Sequence, residues 1–231
     1  DELGIRQGVC TMCDGGSVGW ANFPAVRKYI IPNCRTDLYC FIHISNTGQA
    51  VIPEIRSRYD INYEATIKAI DENRDVIKGV KLRAIGTVAQ TVGIEAARTA
   101  RRLASEAGLP LMVHLGACFS EIGVPGIAES IEPYTRQVLA LLEKGDIITH
   151  IYSPKAGGVI KSDGYVLPEL EEAIKRGVLL DVAHGGTNFG IEVARAGVER
   201  GIIPDMISTD ASTVTISRTA VKGLARIVQS S

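Results

Sequence analysis

The feature that most restricts this chain is a unit that recurs along it: a short β-branched run, a loop, a longer amphipathic stretch, and a glycine just past a charged helical end. Four junctions carry the glycine: Glu106-Ala107-Gly108-Leu109-Pro110, Glu143-Lys144-Gly145-Asp146, Lys175-Arg176-Gly177 and Glu199-Arg200-Gly201. A glycine in that place takes left-handed backbone, ends the helix and turns the chain into the next strand. The strand-forming runs are Gly8–Asp14, Asp37–Ser45, Ile77–Arg83, Pro110–Leu115, Ile147–Tyr152, Val178–Ala183 and Met206–Asp210. A period near 3.6 marks helices over Glu64–Asn73, Ile94–Ala107, Pro133–Lys144, Pro168–Arg176 and Ile191–Arg200, and Val214–Val228 reads as a last helix. Alternation with short connections means parallel strands joined by crossover helices, and the apolar strands suit burial on both faces. No linker interrupts the pattern, so residues 1–231 are expected to form one domain.

Seven strands are visible, and a closed (β/α)8 barrel needs eight in roughly 250 residues. The expected fold is therefore α/β, a (β/α)8 TIM barrel incomplete at its amino end. A doubly wound sheet stays open as an alternative. However, the first βα turn, Asp14-Gly15-Gly16-Ser17-Val18-Gly19, is not G-x-G-x-x-G, and no P-loop occurs. That turn is read as a tight turn after a strand rather than a phosphate site.

Composition narrows the partners. The chain is 45% hydrophobic, enough for a large core, and its net charge of -1 leaves no basic footprint for nucleic acid. No run approaches the roughly 18 apolar residues of a membrane helix, and Asp1-Glu2-Leu3-Gly4 is not a signal peptide. A cytoplasmic protein without nucleic-acid or membrane partners is expected. Cys10, Cys40 and Cys118 sit in apolar runs and read as small buried hydrophobes. Cys10 and Cys13 form a C-x-x-C, but no second pair stands at zinc-ribbon spacing, so the pair is given no function.

Sites in parallel α/β folds form at the carboxyl ends of strands, and the polar residues fall there. Lys81 lies in Gly79-Val80-Lys81-Leu82-Arg83, His114 in Leu111-Met112-Val113-His114, His150 in Ile147-Ile148-Thr149-His150, and Asp210 ends Ile207-Ser208-Thr209-Asp210. Imidazole and carboxylate suit zinc-like ions. Desolvation disfavours a charged lysine, and a neutral amine can take up carbon dioxide to give a carbamate anion able to bridge two metals. Pairing of Lys81 with a buried carboxylate is the structural alternative.

With these residues in place, the sequence resembles the amidohydrolase superfamily, more narrowly its deacetylase/dihydroorotase-like branch. The resemblance spans essentially the whole chain. It is carried by Gly8-Val9-Cys10-Thr11 with Asp14-Gly15-Gly16-Ser17, Lys78–Arg83, Gly108–His114, Gly145–His150, Asp181-Val182-Ala183-His184-Gly185 and Pro204–Asp210. It implies one or two divalent ions, Zn2+ or Mn2+, held by a carbamylated Lys81, by His114, by His150 and by Asp210. Asp210 would also move the proton. His184 and Gly185 would line the substrate pocket. Arg83 could hold an anionic substrate group, with structural pairing equally open, and Lys155 and Lys161 give the same hint. His43 matches no family role and is read as structural.

The family also carries a His-x-His pair on its first strand and a small β-sandwich, and neither is present in this sequence. A partial chain is the expected explanation, and a divergent barrel that lost the first metal, with Lys81 not carbamylated, is the alternative. An open barrel has two strand edges, so a homo-oligomer is expected. The implied reaction is hydrolysis of an amide or ester in a small acylated or cyclic substrate through a metal-bound hydroxide, with Asp210 as base and then acid. The loops Gly116–Glu132 and Ser153–Leu167 would set substrate choice. Two other readings stay open: a non-catalytic barrel acting as a binding or assembly module, favoured by the missing pair, and an isomerase or aldolase barrel using Lys81 as a Schiff-base amine.

Overall fold

The structure, a computed structural model, describes residues 3–212. The expected helix Val214–Val228 lies outside the described residues. In chain order the elements are β1 (Thr11–Asp14), α1 (Phe23–Ala25, running on through helical turns to Asn33), β2 (Asp37–His43), α2 (Tyr63–Glu72), β3 (Ile77–Ala84), α3 (Gly86–Thr91), α4 (Ile94–Ala107), β4 (Leu111–Leu115), α5 (Ile127–Leu141), β5 (Ile147–Thr149), α6 (Pro168–Arg176), β6 (Leu179–Asp181) and α7 (Ile191–Glu199). The strand order is β1-β2-β3-β4-β5-β6. Among the described residues the chain packs as two compact units: residues 3–82 with 91–112, and 83–90 with 113–212.

In the first unit β1 pairs parallel with β2 from Thr11↔Asp37 to Asp14↔Cys40, and β2 pairs parallel with β3. The second register slips between Cys40 and Phe41, then resumes to set His43 opposite Lys81. Asn62 starts α2 by accepting the Ala65 N–H on its side chain at 3.0 Å, a standard N-cap. The buried stripe of α4 is Ala96, Ala97, Ala100, Leu103, Ala104 and Ala107. Small residues at helical spacing let α4 pack closely, with Leu103 as its one large plug. Cys40 is buried as expected, and burial pushes its thiol up to about 12 with help from Asp14 and Cys13. Cys10 is exposed, so its reading as a buried hydrophobe is corrected.

In the second unit β5 and β6 pair parallel in register from Ile147↔Leu179 to Thr149↔Asp181. Helix α5 begins at Ile127, ahead of the expected Pro133, which lies inside it. The buried stripe Ile127, Ile131, Tyr134 and Val138 outweighs the hydrogen bond that proline removes. Gly108 and Gly177 cap their helices with φ of 65° and 89°, as the sequence implied. Gly145 is different: α5 ends at Leu141 with Leu142 as its cap, and the Gly145 N–H reaches the Gly177 carbonyl at 3.0 Å.

The expected seventh strand, Met206–Asp210, is not a regular strand, and six are seen among the described residues. The segment runs beside β6, with the N–H groups of Val182, His184 and Gly185 donating to the carbonyls of Met206, Ser208 and Thr209. Side chains interrupt the ladder. The Leu180 N–H donates to Asp205 Oδ2 at 2.8 Å, and the Ser208 N–H donates to Asp181 Oδ1 at 3.2 Å. Among the described residues, no helix is long and apolar enough to cross a membrane.

Candidate functional site

Lys81 belongs to the first unit. It is 4% exposed, and its backbone carbonyl accepts the Ile44 N–H at 3.0 Å, so the regular ladder of β3 fixes where its side chain leaves the sheet. The glycine-rich turn after β1 explains itself here. Asp14 ends β1 and folds the turn onto its own carboxylate, which accepts the N–H groups of Gly16 (3.1 Å) and Ser17 (2.7 Å). Gly16 then passes over the lysine with φ of 101°. A Cβ there would stand 2.3 Å from Lys81 Cγ. Only glycine fits, by conformation and by space. The tight-turn reading was right, and the turn serves as a lid on the lysine stem. His43, the register partner of Lys81, is fully buried, and its Nδ1 accepts the Ser45 N–H at 3.0 Å, which puts the ring proton on Nε2. Its structural role is thus carried out next to a candidate site residue.

The second unit holds the other candidates. His114, on β4, and His150, just after β5, are buried edge-to-face with ring centroids 4.3 Å apart. His150 Nδ1 donates to the Ala183 carbonyl at 2.7 Å, so its acceptor lone pair is on Nε2. This is how a metal-binding imidazole is oriented, with one nitrogen held by a backbone carbonyl and the other presented to the ion. The backbone is unusual at the same places. Among the described residues three non-glycine residues take positive φ: His150 (65°), Ala183 (41°) and Asp210 (45°). Each such conformation costs about 1–3 kcal/mol and persists only where surroundings enforce it, which favours functional positions. Two of the three are residues the sequence singled out. The third supplies the carbonyl that orients His150.

Asp210 is held by a loop rather than a ladder. Its Oδ2 accepts from Asn188 Nδ2 at 3.4 Å. Gly185 (φ 55°) lies so close that a Cβ would stand 2.3 Å from Asp210 Oδ2. Asn188 Oδ1 accepts from Lys155 Nζ at 2.6 Å. Burial pushes the Lys155 ammonium below the usual lysine range, with the positive Arg83 adding to the effect and Cys118, Asp210 and Glu121 opposing it. His184 stacks on Phe189 at 5.0 Å between centroids. An open cavity of about 450 Å³ is lined by Ala117, Glu121, Val124, Ile127, Lys155 and Ala156 among others, which are residues of the two loops expected to form a pocket wall. Glu121 anchors one of these loops. Burial alone would raise its carboxyl, but donors from the Thr87 hydroxyl and from the amides of Thr87, Cys118 and Gly86 overcome this and hold it below the usual range.

His114 and His150 are therefore brought together, and Gly185 is brought to Asp210. Lys81 sits in the other unit. Among the described residues no three His, Cys, Asp or Glu side chains gather as a ligand set for an ion. Of the imidazole pair, His150 fits a metal by its chemistry and its tautomer, and His114 by its chemistry. Sequence reasoning missed Asn188 altogether and used Lys155 only as a hint of charge. Neither carries a pattern signal, since each acts through loop geometry.

Comparison with known proteins follows the same lines. No family model matches the chain. A deacetylase of Agrobacterium fabrum is 32% identical over 212 residues, 90% of this chain and 49% of that protein, and a deacetylase of Brucella anthropi is 32% identical over 90% of this chain and 50% of its own. The chain thus spans about half the length of the curated relatives it matches. A dihydroorotase structure superposes with a TM-score of 0.79 at 30% identity, covering 94% of this chain and 57% of the other. An adenine deaminase does so with a TM-score of 0.86 at 28% identity, covering 97% and 58%. A parallel α/β sheet of the TIM-barrel kind is the architecture the chain shares with these structures. These deacetylase relatives and structural neighbours support an amidohydrolase superfamily member of the deacetylase/dihydroorotase-like branch.

Proposed function

We propose that this chain contributes the core of a metal-dependent hydrolase that cleaves an amide or ester bond in a small acylated or cyclic substrate, on a (β/α)8 barrel of the TIM type. The observation that carries the reading is the buried His114–His150 pair with His150 held in the metal-binding tautomer by a strained strand end. In this reading His114, His150 and Asp210, all in the second unit, hold one or two divalent ions, zinc or manganese, and the Lys81 amine of the first unit adds carbon dioxide to give the carbamate that the resemblance implies. When bound, such an ion supplies Lewis acidity to a carbonyl and acidifies a water. The protein does the rest. Asp210 takes the proton from the attacking water and returns it to the leaving amine or alcohol. The Ala183 carbonyl keeps His150 from rotating. Gly185 leaves room for the Asp210 carboxylate, and His184 on Phe189 offers a flat wall for the substrate. Lys155, which lines the loop cavity and feels the positive charge of Arg83, supports an anionic group on the substrate.

The test is a panel of N-acetyl amino acids, acetyl esters and dihydroorotate, assayed with purified protein before and after chelation. The expected result is hydrolysis of at least one class, lost with chelator and restored by Zn2+ or Mn2+. Hydrolysis indifferent to chelation, or a metal-loaded protein inert to all three classes, contradicts the proposal.

A further inference from the structure

We propose that Asn188 is a positioning residue for Asp210, and that Lys155 sets the orientation of Asn188. The proposal rests on the reading of Asp210 as a metal ligand and proton carrier. Asn188 is buried (8% exposed) in the loop between β6 and α7, and both ends of its amide are engaged: Oδ1 by Lys155 Nζ at 2.6 Å and Nδ2 by Asp210 Oδ2 at 3.4 Å. The direction of this chain is fixed by chemistry. An ammonium only donates and an ionised carboxylate only accepts. The Asn188 oxygen must therefore face Lys155 and its NH2 must face Asp210. An asparagine is a side chain of this size that joins a cation to an anion in this way, whereas an aspartate would set two carboxylates against each other.

The surroundings are built to the same end. Gly185 supplies no Cβ, which would stand 3.1 Å from Asn188 Nδ2 and 2.3 Å from Asp210 Oδ2. From the backbone side, the buried Asp181 accepts the Ser208 hydroxyl at 2.8 Å and the Ser208 N–H at 3.2 Å, fixing the chain two residues before Asp210. Asp210 is thus held twice: through its main chain by Asp181, and through its carboxylate by Asn188. Lys155 also lines the loop cavity, so the far end of the relay faces the space a substrate would enter.

The experiment uses Co2+ as probe, followed by its visible absorption in the purified full chain, with wild type, Asn188→Ala, Asn188→Asp, Lys155→Met and Asp210→Asn, each checked by thermal melting. Outer partners of metal ligands are worth roughly 10–100-fold in affinity. Asn188→Ala is expected to weaken Co2+ by about that factor and to alter the band, with Lys155→Met giving a smaller effect in the same direction. Asn188→Asp keeps the acceptor for Lys155 and the shape of the side chain but loses the donor. It is expected to resemble Asn188→Ala, and it decides the matter should the alanine variant fail to fold. Wild-type affinity and spectrum in the Asn188 variants, with binding lost in Asp210→Asn, overturn the relay alone. A wild-type chain that takes up no Co2+ overturns the metal reading, and the relay with it.

Discussion

The two units place polar groups at strand ends by different means. In the first, β2 and β3 run for seven and eight residues, and Lys81 sits within a regular ladder. The special geometry there is borne by a glycine, Gly16. In the second, β5 and β6 run for only three residues each, and the chain leaves them through His150 and Ala183 in left-handed conformation. A long ladder can present a side chain without strain. A short one must turn at once, and side-chain carboxylates such as Asp181 and Asp205 take over hydrogen bonds that a strand would supply. The polar ends of the second unit are therefore held by side chains as well as by backbone.

That contrast can be broken in several places. The largest effect is expected from Gly16→Val. Positive-φ strain and overpacking against Lys81 together should cost the first unit about 4 kcal/mol in urea unfolding, and an unchanged midpoint would deny that the turn is a lid. Leu103→Ala removes the single large plug of an alanine-lined helix and should cost about 3 kcal/mol; a loss near that of an exposed site would mean α4 is not held by its stripe. Asp181→Ala strips the Ser208 amide and hydroxyl of their buried acceptor and should cost about 2 kcal/mol. If its stability matches wild type, side chains do not replace the ladder beside β6.

Acid should reveal Glu121. Its folded carboxyl lies below the ordinary range, so its contribution is complete above the unfolded value of about 4.3 and disappears as pH falls through the folded value. Wild type should therefore lose stability below about pH 4 faster than Glu121→Gln, and parallel acid curves would contradict the anchor. The smallest effect is a gain. Ala183→Gly relieves a left-handed alanine and should be neutral or raise stability by up to about 1 kcal/mol. A clear loss would show that the strain at this strand end is not real.

Much of this was readable beforehand, for definite reasons. Lys81, His114 and His150 stood out because each breaks an apolar β-branched run, and the pleat leaves such a residue few places to go. Gly108 and Gly177 announced helix ends because only a left-handed residue continues the chain there. Met206–Asp210 looked like a strand and is extended, but the side chains of Asp181 and Asp205 interrupt its pairing, and no local pattern records that. The early start of α5 was hidden by Pro133, whose usual meaning is overruled by a buried stripe formed only in the fold. Asn188 was invisible because an asparagine in a glycine-rich loop reads as a turn residue. Its role exists only once Lys155 and Asp210 flank it.

The central claim is that the buried imidazole pair is a metal-binding pair. Zinc titration of the purified chain by calorimetry, with wild type beside His114→Asn and His150→Asn, tests it most directly. Tight binding by wild type and at least a hundredfold loss in each variant, with melting temperatures otherwise maintained, is the predicted result. Equal zinc affinity in all three proteins, or no uptake by any of them, would contradict it.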